Sequence, residues 1–316
     1  MYGGRKVVVV TPAGRRRYLE ILSRYVLASP YMDQWQLWVN TEDLQDLAWM
    51  LELTVCESTR GGRVEAFFGG DPSKGNANIH TFYPNAAEPD TIYVRLDDDI
   101  VWLAPDFFEQ LLDSRLGSPD TFLLSANVVN NAICDHLHQR TGALGFQRGA
   151  VGYACMDPTG WNNPAHAEYA HRSFLADAGS LCWRRWRFPD WTLFQGERFS
   201  INAICWTGED MQKVLKLGGV GLDEEANLAC SFPLHLQKWN KIAGRAVCSH
   251  FAYHTQRDHL DQTDLLDQYR RLAETQMPDD EHPASASHGT VSYGDRNTDA
   301  VAQTAINVGE EGGPSR

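Results

Sequence analysis

Long apolar runs are missing from this sequence. The longest aliphatic stretch, Val7 to Val10, is far short of the roughly 20 residues that a membrane helix needs. No transmembrane segment is expected. Positive charge is scarce as well: 28 Lys and Arg face 41 Asp and Glu, a net charge of −13. Proteins that read a nucleic-acid backbone carry a basic face. This chain would repel such a backbone overall, so no nucleic-acid partner is expected. A local basic site for a nucleotide phosphate stays open. Cysteine is sparse and unpatterned. Cys56, Cys134, Cys155, Cys182, Cys205, Cys230 and Cys248 make an odd count with no CxxC spacing. That argues against a disulfide framework or a zinc ribbon. Most sit among apolar neighbours, as buried reduced thiols do. Arg5 and Lys6 open the chain without the apolar stretch of a signal peptide. A reducing, cytoplasmic-type compartment is expected. A GxxxxGK[ST] sequence is lacking, which sets aside a P-loop NTPase, and no internal repeat is visible.

What is present suits a globular α/β protein. The chain has 316 residues, 43 % of them hydrophobic and 22 % charged, enough apolar matter for a sizeable core. Lys6 to Val10 is a continuous β-branched run, broken by Thr11-Pro12-Ala13-Gly14. Arg15 to Leu27 carries Leu19, Leu22 and Val26 at helical spacing. Trp35 to Val39 predicts a second strand, and Thr41 a cap for a helix over Glu42 to Leu51. Asn78 to Tyr83 predicts a third strand, Thr91 to Leu96 a fourth and Phe122 to Ala126 a fifth, with a helix over Phe107 to Leu116. Phe199 to Trp206 predicts a further buried strand. Met211 to Leu217 predicts a helix stopped by Gly218-Gly219, and Asp258 to Thr275 a last amphipathic helix. Strands alternating with helices imply a mainly parallel sheet. Residues 150 to 200 differ: Trp161, Trp183, Trp186 and Trp191 lie among His166, His171 and several arginines. This segment reads either as a substrate-binding insertion or as an aromatic packing layer. His166 and His171 are five apart, not the four of a His-Glu-x-x-His zinc helix, so they read as structural or acceptor-lining. From Met277 onward Pro, Ser, Gly, Asp and Asn dominate. Residues 277–316 are expected to form a disordered acidic tail.

The strongest local signal is Tyr93-Val94-Arg95-Leu96-Asp97-Asp98-Asp99. An apolar strand runs into three carboxylates, and in an open α/β sheet such strand ends face the ligand crevice. Carboxylates this close repel one another unless a cation relieves them. Mg²⁺ or Mn²⁺ accepts oxygen ligands and bridges to substrate phosphates. A solvated acidic turn is the plainer reading. Downstream, Gly218-Gly219-Val220-Gly221 precedes Asp223-Glu224-Glu225. Ala246 to Phe251 then places His250 after an apolar strand, with His254 four residues on. Neutral histidine is a metal ligand.

In this order the features resemble a GT-A-fold, nucleotide-sugar-dependent glycosyltransferase, with a layout similar to family-2-type enzymes. The resemblance covers about residues 5 to 257. It implies a GT-A-type, Rossmann-like α/β/α sandwich around a mainly parallel sheet, with an aromatic-rich acceptor-side insertion. One domain would span 1–276, with residues 1–127 as the nucleotide-sugar half and 128–276 as the acceptor half. Thr11, Pro12 and Arg15 of the first turn would hold the nucleotide, with Arg95, Asp97 and Asp98. Asp97 and Asp99, in an Asp-x-Asp motif, would bind Mn²⁺ or Mg²⁺ together with His250. A carboxylate among Asp223, Glu224 and Glu225 would be the base of an inverting transfer from a nucleotide-diphosphate sugar to the hydroxyl of a glycan or another acceptor. The family's acidic motif usually ends Glu-Asp. Such a pair stands instead at Glu209-Asp210, similar to the Gly-Glu-Asp of some galactosyltransferases, so Asp210 competes for the role. Two rival readings stay open. Thr11 to Arg17 partly matches the Gly-rich, basic turn of a nucleotidyltransferase, and a non-catalytic nucleotide- or sugar-binding module would keep the fold without the chemistry.

Overall fold

A computed structural model describes residues 1–278; the expected tail lies, from 279 on, outside the described residues. Strand β1 (Lys6–Ala13) forms where four consecutive valines, all fully buried, favour extended backbone. Successive strand residues point to opposite faces. A strand buried at every position therefore has both faces covered. β4 (Thr91–Leu96), β5 (Ile100–Leu103) and β6 (Thr121–Val129) share this property. β2 (Gln34–Val39) and β3 (Val64–Phe68) extend the sheet beyond β1. β7 (Trp191–Thr192), β8 (Ala203–Thr207) and β9 (Trp239–His250) lie on the β4 side. The order is β3-β2-β1-β4-β8-β6-β9-β5, with β7 paired to β9. β1, β2, β3, β4, β6 and β9 run one way, and β5, β7 and β8 run against them. The protein is thus a mixed α/β fold around a central, mostly parallel sheet, as the alternation of elements predicts.

The helices are α1 (Arg16–Ala28), α2 (Leu44–Ser58), α3 (Phe107–Leu116), α4 (Ala132–Thr141), α5 (Pro164–Ala178), α6 (Gly208–Lys216), the short turns α7 (Glu224–Ala226) and α8 (Phe232–Leu236), α9 (Arg257–Leu260) and α10 (Leu265–Gln276). α1 and α5 pack on α10, and α1 and α10 on β5. α3 and α6 pack on β8, α3 also on β9 and α6 also on β4. Leu19, Leu22 and Val26 form the expected buried stripe of α1.

Three expectations need correction. Asn78 to Tyr83 is not a strand but part of a 3-10 stretch, Pro72–Ala86. Ile79, Phe82 and Tyr83 are buried at three- and four-residue spacing, and Asp71 caps the start just before Pro72, so the signal was helical. The true third strand is Val64–Phe68, whose exposed residues hid its period. Asp43, not Thr41, caps α2, accepting from the Gln45 and Asp46 amides. The last helix is two, α9 and α10, divided at residues 261–264.

Within residues 150 to 200 the aromatic residues divide. Trp183 and Trp186 are core: Trp183 packs edge-on against Trp102 at 5.6 Å, and Trp186 against Phe174 at 5.3 Å. His166 and His171 are fully buried on α5. His166 Nε2 lies 3.1 Å from Asp135, and His171 bridges Tyr269 and the Phe251 carbonyl. Both are structural, as one of the two sequence readings held.

Candidate active site

The parallel register of β1 and β4 builds one wall of the main cleft. Val10 stands beside Arg95. β1 runs on beside β2 through Pro12 and Ala13, beyond the break expected at Thr11, and the chain then turns at Gly14 toward Asp98 and Asp99, which follow β4. The turn closes on those acids: the Gly14 amide donates to Asp98 Oδ2 at 3.0 Å, and the Arg15 guanidinium donates to both Asp98 oxygens and to Asp99 Oδ2. A Cβ on Gly14 would lie 3.0 Å from the Asn40 carbonyl oxygen, so a larger residue would crowd β2 here. On the other side of β4, antiparallel β8 sets Leu96 against Ala203. The Asp97 amide consequently donates to the Asn202 carbonyl at 2.8 Å. β9 ends beside β5, with His250 opposite Ile100, so His250 Nε2 lies 3.4 Å from Asp99 Oδ1.

These elements surround a cleft of about 610 Å³. Pro12, Arg15, Arg95, Asp97, Asp98, Asp99, Asp223, Glu224, Glu225 and His250 all line it, so the fold gathers nearly every residue singled out in the sequence. Thr11 is the first exception. It is fully buried, and its hydroxyl accepts from Trp35 Nε1 at 3.0 Å, so it serves the core. Asp210 is the second. It lies in the first turn of α6 after β8, whose end Thr207 sits beside Ile92, at the opposite end of the strands from Asp97. Its carboxylate is held by Lys213 at 2.9 Å and Lys238 at 2.5 Å.

Arg95 is buried and committed. It bonds Asp97 through Nε and Nη2, and through Nη1 donates to Tyr83 Oη at 2.7 Å and to Glu224 Oε1 at 2.9 Å. Its guanidinium is thus shared among Asp97, Tyr83 and Glu224 in the wall of the cleft. The acidic motif follows a turn in which Gly218, Gly219 and Gly221 take positive φ, where side chains are strained. Asp223 caps α7 through the Ala226 amide and is largely exposed. Glu225 Oε1 accepts from Arg198 Nε at 2.6 Å. Glu224 keeps Oε2 buried with no hydrogen-bond partner.

Electrostatics separate the acids. Burial pushes Asp97 up to about 6, more than Arg95 pulls it down. Burial also acts to raise Asp99, but Arg15, His250 and Arg257 outweigh it and hold that carboxyl well below the usual range. Burial raises Glu225 in spite of Arg198.

The donor set of Asp97, Asp99 and His250 has the oxygen and nitrogen chemistry that suits Mn²⁺ or Mg²⁺. Six acids line the cleft against four arginines, Arg15, Arg95, Arg198 and Arg257, so it carries two more negative than positive side chains. A divalent cation matches that excess. The set is not gathered as a cage, however. Among the described residues no three His, Cys, Asp or Glu side chains are arranged to hold a metal. Guanidinium groups occupy the carboxylates instead.

Sequence reasoning missed Arg257, Arg198 and Asn202. Only the turn at 251–256 and the antiparallel entry of β8 bring them to the cleft. Trp161 also lines it, edge-on to His254 at 5.4 Å. Among the described residues no helix is long and apolar enough to cross a membrane.

No protein-family model matches the chain, and no curated protein matches its sequence. Among solved structures, a mannosyltransferase from Pyrobaculum calidifontis in complex with GDP-Man and Mn²⁺ is similar at a TM-score of 0.48 and 11 % identity, over 80 % of this chain and 59 % of that one. The chain thus spans well under two thirds of that protein's length. A CMP:2-keto-3-deoxy-manno-octonic acid synthetase complexed with CTP is similar at 0.44 and 11 %, over 86 % and 99 % of the two chains. Glucosyl-3-phosphoglycerate synthase from Mycobacterium tuberculosis, with Mn²⁺, UDP and glucosyl-3-phosphoglycerate, is similar at 0.32 and 13 %, over 87 % and 80 %. At these scores none of them assigns a reaction or a ligand to this chain.

Proposed function

We propose that the cleft binds a nucleotide-diphosphate sugar and transfers the sugar, with inversion, to an acceptor hydroxyl. The observation that carries this reading is the Arg95 bridge. One buried guanidinium joins Asp97, at the strand end suited to the donor, to Glu224, the carboxylate suited to the acceptor. A leaving diphosphate gains negative charge, and an attacking hydroxyl must lose a proton. The bridge supports both sites lying within one cleft.

Glu224 is the better base. Glu225 is tied to Arg198 and accepts a long contact from Cys155 Sγ, whereas Glu224 retains one unpartnered oxygen. The proton would pass from the acceptor hydroxyl to Glu224 Oε2. Arg95, on Oε1, fixes the carboxylate's orientation. Arg15 and Arg257 supply positive charge toward the diphosphate. Asp97, Asp99 and His250 would hold Mn²⁺ or Mg²⁺, which when bound supplies Lewis-acid stabilisation of the leaving group. A reducing, cytoplasmic-type compartment suits the seven free cysteines.

The nucleotidyltransferase reading loses support at the first turn. Of its three arginines only Arg15 lines the cleft. Arg16 pairs with Glu20 and Arg17 with Asp261. The turn does not present the concentrated basic grip that a triphosphate needs. Incubation with a panel of nucleotide sugars and of sugar phosphates with nucleoside triphosphates decides the matter. Release of free nucleoside diphosphate supports glycosyl transfer. Release of pyrophosphate would overturn it.

A further inference from the structure

We infer that Arg257 is an exchangeable counter-ion: it pairs with Asp99, yields that carboxylate to a divalent cation, and turns to the diphosphate of the donor. The inference rests on the reading above only in taking a nucleoside diphosphate as the ligand.

The two arginines on Asp99 are unequally committed. Arg15 donates to Asp99 Oδ2 at 2.9 Å and is also held by Asp98 through Nε and Nη2. Arg257 reaches Asp99 only at 3.6 Å, an ion-pair distance beyond a hydrogen bond. Its other contact is the Ala252 carbonyl at 3.4 Å. Its Nε is buried without a partner, and its side chain is 30 % exposed on the cleft. A guanidinium with unused donors on the wall of this cleft is well suited to bidentate phosphate contact.

Charge decides the order of events. The lining side chains already carry two excess negative charges. A bare diphosphate would add to them at short range, which is unfavourable inside a partly desolvated cleft. With a dication on Asp97 and Asp99, Arg257 is no longer needed there and its charge becomes available to the phosphates. Cation and nucleotide then favour each other's binding, and the coupling is reciprocal. If Arg257 were instead a fixed support of the cluster, its loss would weaken the cation site.

The test compares the wild-type protein with Arg257→Gln and Arg257→Lys. Free Mn²⁺ is followed by electron paramagnetic resonance without nucleotide, and UDP and GDP are titrated calorimetrically with Mn²⁺ present. Arg257→Gln is expected to bind Mn²⁺ roughly tenfold more tightly and the preferred diphosphate roughly tenfold more weakly, within the usual range of site coupling. Arg257→Lys, which keeps the charge, should fall between. Mn²⁺ affinity that is unchanged or weaker in Arg257→Gln, or absent from all three proteins, overturns the exchange. Diphosphate binding that does not weaken in Arg257→Gln also overturns it. None of these readouts needs sugar transfer. If they come out as expected while the wild type consumes no nucleotide sugar, the failure belongs to the glycosyl-transfer reading.

Discussion

Arg95 and Glu224 stand 129 residues apart in the chain and meet at 2.9 Å in the wall of the cleft. Their side chains are only 3 % and 13 % exposed. The contact joins the end of β4 to the first turn after the glycine-rich loop, and so ties two distant segments of the chain at the point where the chemistry is proposed.

The stability of this junction is measurable. Arg95→Met leaves Asp97 and Glu224, 22 % and 13 % exposed, without their shared counter-charge. Breaking a buried pair from one side costs about 3–5 kcal/mol. Arg95→Lys should recover part of it, since one ammonium cannot serve both carboxylates in the guanidinium's fork geometry. Urea unfolding at pH 7 reads both. A loss below about 1 kcal/mol in the Met variant, the scale of an exposed pair, would mean that the bridge is no more than a surface contact.

The base is tested by paired substitutions. Glu224→Gln keeps size and most hydrogen bonding but cannot take a proton. It should lower kcat about 10²- to 10⁴-fold, the usual share of general base catalysis, with diphosphate affinity preserved. Glu225→Gln loses an ion pair with Arg198 and should mainly change KM or stability. The reverse pattern, with Glu225 essential and Glu224 dispensable, would reassign the role.

Much of this site was legible beforehand because its signals are local. Val7 to Val10 reads as a strand because burial of both faces leaves an unbroken apolar run, and Ile92 to Leu96 because Ile92, Val94 and Leu96 alternate. Asp97 to Asp99 then had to lie at a strand end. What was illegible depends on pairing. Asp210 competed with the favoured Glu224 and Glu225 for the base, and the antiparallel direction of β8 carries it to the opposite end of the strands from Asp97. The partners of the acids were hidden for the same reason. Arg15 on Asp98, Arg257 on Asp99 and Arg198 on Glu225 are contacts between distant segments, with no period or spacing to announce them. In residues 72–86 the local signal itself was misread, since Ile79, Phe82 and Tyr83 follow a helical step.

Asp97 makes stability depend on pH in a defined window. Its ordinary value of 3.8 is raised to about 6 in the fold, chiefly by burial. Between those values the native state holds a proton that the unfolded chain releases. Native stability from this group therefore falls as pH rises from about 4 to 6, and the penalty is complete above 6. Asp97→Asn removes the dependence. The stability of the variant relative to wild type should rise between pH 4 and 6 and then level off. Urea unfolding of both proteins at pH 4.5 and 7.5 checks this. A difference that does not change with pH would show that Arg95 neutralises Asp97 fully.

Asp210 provides the opposite case. It is 2 % exposed, but its partners Lys213 and Lys238 are 54 % and 19 % exposed, so solvent screens much of the attraction. Burial acts to raise Asp210, yet the two lysines overcome it and lower the carboxyl below its ordinary value. A lowered acid contributes stability above its unfolded value, near pH 4, and loses it as pH falls further. Asp210→Asn should therefore cost about 1–2 kcal/mol at pH 7, a screened fraction of the value for a closed pair, and less at pH 3. Its kcat should match wild type, because the carboxylate is at the opposite end of the strands from Asp97 and outside the lining of the cleft. A variant as stable as wild type that turns over no donor would overturn both statements. It would require α6, rather than the turn after the glycine-rich loop, to carry the acceptor's base.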